Sequence, residues 1–151
     1  MIRGFVGTLI YILIFPLLWL FLRVNSRTRA VIRLEEKVLL VKPWLGTGRW
    51  DLPGGGLHYN EKPRQGVARE VFEETGIEIA AREFSPLGSF RQGGWFKSKV
   101  YCFKVDLKVR PKVKKQYVEI IDIKWVDTAD ISAYRLSDQA KNALDLWKSY
   151  S

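Results

Sequence analysis

GGLHYNEKPRQGVAREVFEETGI, residues 55–77, decides how the rest of the chain is read. Within it Gly55, Glu61, Arg69, Glu70, Glu73, Glu74 and Gly76 stand at fixed spacing, with apolar Val71 and Ile77 among them. At about 7% usage per residue type, such a set recurs by chance roughly once per billion start positions. Lys62–Thr75 predicts a helix. Pro63 suits its first turn, Asn60 or Glu61 is the candidate cap, and Gly76 follows where a left-handed C-cap is wanted. Take the helix at about 100° per residue with Glu70 at zero. Glu73 then falls at about 300° and Glu74 at about 40°, while Ala68, Val71 and Phe72 lie opposite. One packed face and one charged face are expected. Carboxylates at i, i+3 and i+4 repel one another. Such a face is either a solvated acidic surface or a place where a cation removes the repulsion. The glycine turn and Arg69 favour the cation. All-oxygen ligands suit Mg²⁺, with Mn²⁺ as a substitute.

The pattern, with its lead-in Trp50-Asp51-Leu52-Pro53-Gly54-Gly55, resembles the Nudix box and matches it at every defining position. The chain is similar to MutT-like Nudix hydrolases over residues 28–150. The resemblance implies an α/β/α sandwich with a mixed sheet; pattern alone gives only α/β or α+β. It implies Mg²⁺-dependent hydrolysis of a nucleoside diphosphate linked to a group X, by water attack at phosphorus. Glu70, Glu73 and Glu74 would supply metal-binding carboxylates, with the carbonyl of Gly55 or its neighbour completing the shell. Glu70 is the candidate base. Arg69, which would orient a glutamate, and Glu73 are counted with it as catalytic. Glu61 would support the metal shell or the helix start. Glu119 is the candidate for a further metal-binding acid from a late strand or loop; its bland alternative is a solvent-facing strand residue. Gly54 and Gly56 would let backbone approach the phosphates, and Arg91 and Trp95 are candidate substrate contacts, Trp95 by stacking on a base.

One position departs from the family habit: Asn60 precedes Glu61 where glycine is frequent, and asparagine tolerates the left-handed region. Some ADP-ribose-cleaving members carry a proline about 16 residues after the box, where this chain has Gly93. Some dinucleoside-polyphosphate members carry a tyrosine one or two residues later, where it has Gly94 and Trp95. These absences lean towards a nucleoside triphosphate pyrophosphatase. Two other readings stand beside it: a nucleotide-sensing module without turnover, and a pyrophosphohydrolase acting on RNA 5′ ends.

Outside the box, the N-terminus differs most. Gly4 to Leu22 is a run of 19 residues without a charge. At about 1.5 Å per residue it would form roughly 28 Å of helix, close to the hydrocarbon thickness of a bilayer. We read residues 1–27 as a single-pass membrane anchor and 28–151 as the Nudix domain. A cleaved signal peptide fits less well, since the run is long and no A-x-A-like site follows. A buried helix would need a larger protein to cover it. Arg23, Arg27, Arg29 and Arg33 follow the run, and the positive-inside rule then places the domain in the cytoplasm, where nucleotides are found.

The chain has 151 residues, the size of one domain, and a net charge of +9. Its densest basic patch, Lys108 to Lys115, reads as a solvated loop between strands or as a surface for lipid headgroups, polyphosphate or RNA. Cys102, the only cysteine, excludes an intrachain disulfide and lies in an alternating apolar stretch, as a core thiol would. The single histidine, His58, is a loop residue or a substrate contact. Strands are expected at Thr28–Leu34, Lys37–Lys42, Lys99–Leu107 and Val118–Val126, with another ending at Ser89–Phe90. In Lys99–Leu107, Tyr101, Phe103 and Val105 should share one face and Val100 and Cys102 the other. A second helix, Asp138–Ser149 capped by Ser137, carries Ala140, Ala143, Leu144 and Trp147 as an apolar stripe.

Overall fold

The computed structural model of the protein describes residues 26–44, 48–93, 97–114 and 120–150. The expected anchor at 4–22, Trp95 and Glu119 lie outside the described residues. Among those described, no helix is long and apolar enough to cross a membrane.

Strand β1 (Ser26–Leu34) turns at Glu35-Glu36 into β2 (Lys37–Pro43), and helix α1 (Pro63–Thr75) follows. Then come β3 (Ser85–Gln92), β4 (Ser98–Leu107), β5 (Ile120–Asp127) and helix α2 (Asp138–Ser149). The sheet runs β3-β4-β1-β2-β5. Its β1–β4 pair is parallel and the others antiparallel, so the sheet is mixed. Strand alternation divides the core. Ala30, Ile32, Phe103 and Val105 pack with Val67 and Val71 of α1. Val31, Val100 and Cys102 pack on the other face with Ala140, Ala143 and Leu144 of α2. The result is the expected α/β/α sandwich, with the predicted division of β4 between its two faces.

The site is positioned by a gap in this sheet. β1 and β2 pair only beside their turn, at Arg33–Val38 and Leu34–Lys37. Beyond that they splay, and residues 51–57 enter between them. On one side Ala30 N donates to Pro53 O at 2.8 Å, Thr28 N to Gly55 O at 2.8 Å, and Leu57 N to Ser26 O at 3.0 Å. On the other, Val41 and Asp51 exchange bonds of 2.8 and 2.9 Å. The glycine turn is thereby built into the sheet rather than hung from it.

Both helix ends follow local chemistry, with one correction. Gly76 closes α1 at φ 69°, and Ser137 Oγ accepts from Ala140 N at 3.0 Å at the start of α2. Ser137→Ala should cost about 1 kcal/mol, read as a lower denaturation midpoint at unchanged slope. The start of α1, however, is capped by neither Asn60 nor Glu61. Lys62 occupies the cap without a side-chain bond, because the Glu61 carboxylate is engaged by Arg69.

Two further expectations are corrected. Phe72 is 51% exposed, whereas Glu74 is only 8% exposed. The buried line on α1 runs through Val67, Val71 and Glu74 at i, i+4 and i+7, so Glu74 belongs to the packed stripe and Phe72 falls outside it. Strand β3 is also longer than its visible end at Ser89–Phe90. Pro86 and Gly88, residue types that disfavour strands, sit at a register shift that the strand absorbs. The 108–114 stretch is a largely exposed connection between β4 and β5, tied down where Lys114 N donates to Thr75 O at 2.8 Å.

Candidate active site

Two glycines let the helix and the turn meet. Gly54 has φ 139°, and a side chain there would collide with the Thr28 carbonyl. At Gly55 an added Cβ would lie 2.5–2.7 Å from the Glu70 carboxylate. The Glu70 oxygens are therefore seated on the backbone of the turn. Glu74, one helical turn on, accepts from Gly54 N at 2.8 Å. The sequence placed Glu70, Glu74, Gly54 and Gly55 in one site, and the structure brings these four together.

Arg69 organises the outer side. Its Nε and Nη2 donate to the two Glu61 oxygens at 2.8 and 2.9 Å. Nη1 donates to Glu70 and to Glu73, both at 2.9 Å, and Nη2 also reaches the Gly56 carbonyl at 3.0 Å. The Glu61 carboxyl is held below its ordinary range chiefly by this bond, against some burial. Glu73 faces Arg69 rather than the turn, and is exposed. Among the described residues no three His, Cys, Asp or Glu side chains are arranged to hold an ion. The contacts bring two of the three glutamates, Glu70 and Glu74, to the glycines.

Sequence reasoning missed a buried pair beneath the turn. Arg29 Nε and Nη2 donate to the two Asp51 oxygens at 3.1 Å each, and Nη1 donates to the Gly54 carbonyl at 2.6 Å and the Thr28 carbonyl at 2.9 Å. Both side chains are almost fully covered. An arginine directly before the apolar run Ala30-Val31-Ile32 of one strand, once buried, demands an anion, and Asp51 in the glycine lead-in is that anion; this was the available signal. Arg29 was read only among the basic residues that follow the uncharged run, as was Arg33, which pairs with Asp106 at the surface. Arg27 stands beside Gly56, its pKa lowered by burial and then by the charge of Arg29.

Burial pushes the Glu74 carboxyl up to about 8, with the nearby Glu70 and Asp51 charges adding to the effect and the Gly54 amide and Arg29 opposing it. A carboxyl raised in the folded state from 4.5 to about 8 binds more protons there than when unfolded. Without divalent cations, stability should therefore fall as pH rises across that window. The lowered Glu61 acts with opposite sign, at more acidic pH. Denaturation midpoints measured in chelator should fall from pH 4.5 to 8 in the parent chain, and Glu74→Gln should flatten that decline. An unchanged slope in the variant would contradict the assignment.

Arg91 is exposed near the end of β3. His58 is exposed, and its backbone N–H donates to Glu61 at 2.8 Å, which makes it a loop residue. Cys102 is buried in the core, and burial pushes its thiol up to about 12, which suits packing and not nucleophilic attack. A groove of about 440 Å³ lined by Arg110, Val113, Ile123, Lys124 and Trp125 includes none of the box residues.

Comparison with known proteins agrees with this geometry. A "MutT-like protein" of Streptomyces ambofaciens is 44% identical over 55 residues, covering 36% of this chain and 35% of that protein. "Diphosphoinositol polyphosphate phosphohydrolase 3-beta" of Bos taurus is 38% identical over 69 residues, 46% of this chain and 41% of that protein. The aligned stretches thus span well under half the length of these relatives. The crystal structure of a MutT protein from Methanosarcina mazei Go1 superposes with a TM-score of 0.67 at 28% identity, covering 83% of this chain and 94% of that one. The NUDIX domain model matches residues 24–147, and the chain, in sequence and in fold, belongs to the Nudix family.

Proposed function

We propose that the protein is a divalent-cation-dependent pyrophosphohydrolase acting on a nucleoside diphosphate linked to X, with a nucleoside triphosphate or related nucleotide as its substrate. The observation that carries this reading is the Glu70 carboxylate seated on Gly55 while Arg69 joins it to Glu61, Glu73 and the Gly56 carbonyl. The names of the relatives, a MutT-like protein and a polyphosphate phosphohydrolase, support it.

The residues present suit a hard cation. Their donors are all oxygens, and Glu74 is a buried carboxyl whose charge lacks solvation, which a cation would supply. Glu70, Glu74 and the Gly55 carbonyl would hold Mg²⁺ or Mn²⁺, with Glu73 and Glu119 as further candidates. When bound, the ion neutralises diphosphate charge and acidifies water. The chain does the rest. Glu70 takes the proton of the attacking water as its oxygen bonds to phosphorus. The bridging P–O bond breaks, and the leaving phosphate carries away the electron pair. Arg69 fixes Glu70 in place through a charge-assisted bond. Gly54 and Gly56 allow backbone to approach the phosphates, and Arg91 and Trp95 remain candidate contacts to the nucleotide.

We also propose a single-pass membrane protein with its domain facing the cytoplasm, from the uncharged run 4–22 with Arg3 before it and Arg23, Arg27, Arg29 and Arg33 after it. The enzymatic reading is tested by a screen of the full chain in detergent. Nucleoside triphosphates, their oxidised forms, ADP-ribose, dinucleoside polyphosphates and nucleotide sugars would each be offered with Mg²⁺. Cation-dependent turnover of at least one is expected. Nucleotide binding without turnover of any would favour a sensor instead.

A further inference from the structure

The end of the sheet beside the glycine turn has a chemistry the hydrolase reading leaves unused. Only Arg23, Val24 and Asn25 separate the uncharged run from Ser26, the first residue of β1. Four Cα steps reach at most about 14 Å. The headgroup layer on each side of a bilayer is about 5–7 Å deep. An anchor spanning 4–22 would therefore hold Ser26 in that layer or within about 9 Å of it. Ser26 is not remote from the site: its carbonyl accepts from Leu57 N at 3.0 Å, and Arg27 bridges Gly56. With that anchor the turn that seats Glu70 would lie near the membrane surface, and Tyr59, 80% exposed, projects from the same loop.

Charge is polarised along the same axis. Register places Ser26 beside Lys99 and Lys99 beside Arg91, with Lys97 next to them, all three exposed. The opposite end of the sheet carries the exposed acids Glu35 and Glu36, while Asp106 and Asp127 there are paired with Arg33 and Lys37. Cations at the anchored end are what an anionic leaflet attracts, and acids at the far end oppose docking the other way round. Tyrosine at that end suits the interface.

We propose that this end of the sheet docks on an anionic bilayer surface, and that the site beside it takes diphosphates whose group X is a membrane-held lipid. The substrate part rests on the membrane-anchored hydrolase reading above; the docked orientation is tested without turnover. The full chain would be placed in vesicles of phosphatidylcholine and phosphatidylglycerol, with a fluorophore on Tyr59→Cys or on Glu36→Cys. Cys102 is 1% exposed and stays unlabelled. Headgroup-nitroxide lipid should abolish emission at 59 and leave 36 unchanged. Equal quenching at both positions, or none at 59, would overturn the docking.

In the same vesicles a nucleoside diphosphate diacylglycerol would be compared with a soluble nucleotide sugar. Confinement of enzyme and substrate to one surface should raise kcat/KM for the lipid about tenfold over the soluble substrate. Lys97→Glu with Lys99→Glu should lower the lipid rate about fivefold and spare the soluble one. A lipid substrate no better than the soluble one would overturn the substrate class. If neither is hydrolysed while quenching at 59 holds, the lipid substrate is overturned and the docked orientation stands; a chain that also fails on every nucleotide of the screen above overturns the hydrolase reading.

Discussion

Glu70→Gln should lower kcat by about 10²–10⁴ and leave the fold intact, the range expected when a general base is removed. The change keeps the size of the side chain but removes the charge and the proton acceptor. Its surroundings predict where the loss falls. The carboxylate sits on Gly55 and is held by Arg69 at 2.9 Å, so an amide of the same shape can occupy the same place. KM should therefore move much less than kcat, as for an interaction used in the transition state. Glu73→Gln should cost far less, because its carboxylate is exposed and faces Arg69. Equal losses at the two positions would contradict the division of roles. Steady-state kinetics on the substrate found by screening, with circular dichroism as a control for folding, decides between them.

The largest loss of stability should come from Arg29→Ala, at about 3–5 kcal/mol. The substitution leaves Asp51 buried without its partner, and removes two bonds that tie the Gly54 and Thr28 carbonyls together. Removing both charges at once, as in Arg29→Met with Asp51→Leu, should cost less, because no uncompensated charge remains. Urea denaturation checks both at unchanged slope. Since the pair lies under the glycine turn, the double variant should recover stability without recovering full activity. A double variant no more stable than Arg29→Ala would show that the loss is one of packing and not of charge.

Much of the fold was legible because the local signals agreed. The alternation in β4, the glycine after α1 and the serine before α2 each stated one structural fact, and each is found in place. Strand β3 was less visible because Pro86 and Gly88 mark breaks in most contexts, and only pairing with β4 overrides them. The site was legible where one helix carries it. Helical angles placed Glu70 and Glu74 near each other, but not which of them the domain would bury. That depends on how α1 lies against β1 and β4, and tertiary packing sets it. The Arg29–Asp51 pair joins residues 22 apart across the splayed strands. No periodicity reports such a contact; only the cost of burying an arginine among Ala30, Val31 and Ile32 hints at it.

The most direct test of the central claim is to run the reaction with Mg²⁺ in ¹⁸O-labelled water and weigh the products. One solvent oxygen should appear in one of the two phosphate products and none in an unreacted substrate, with no label in the protein and with turnover lowered about 10²–10⁴-fold in Glu70→Gln. Products without solvent oxygen, or ¹⁸O left in an enzyme carboxylate after a single turnover, would contradict direct attack of water at phosphorus.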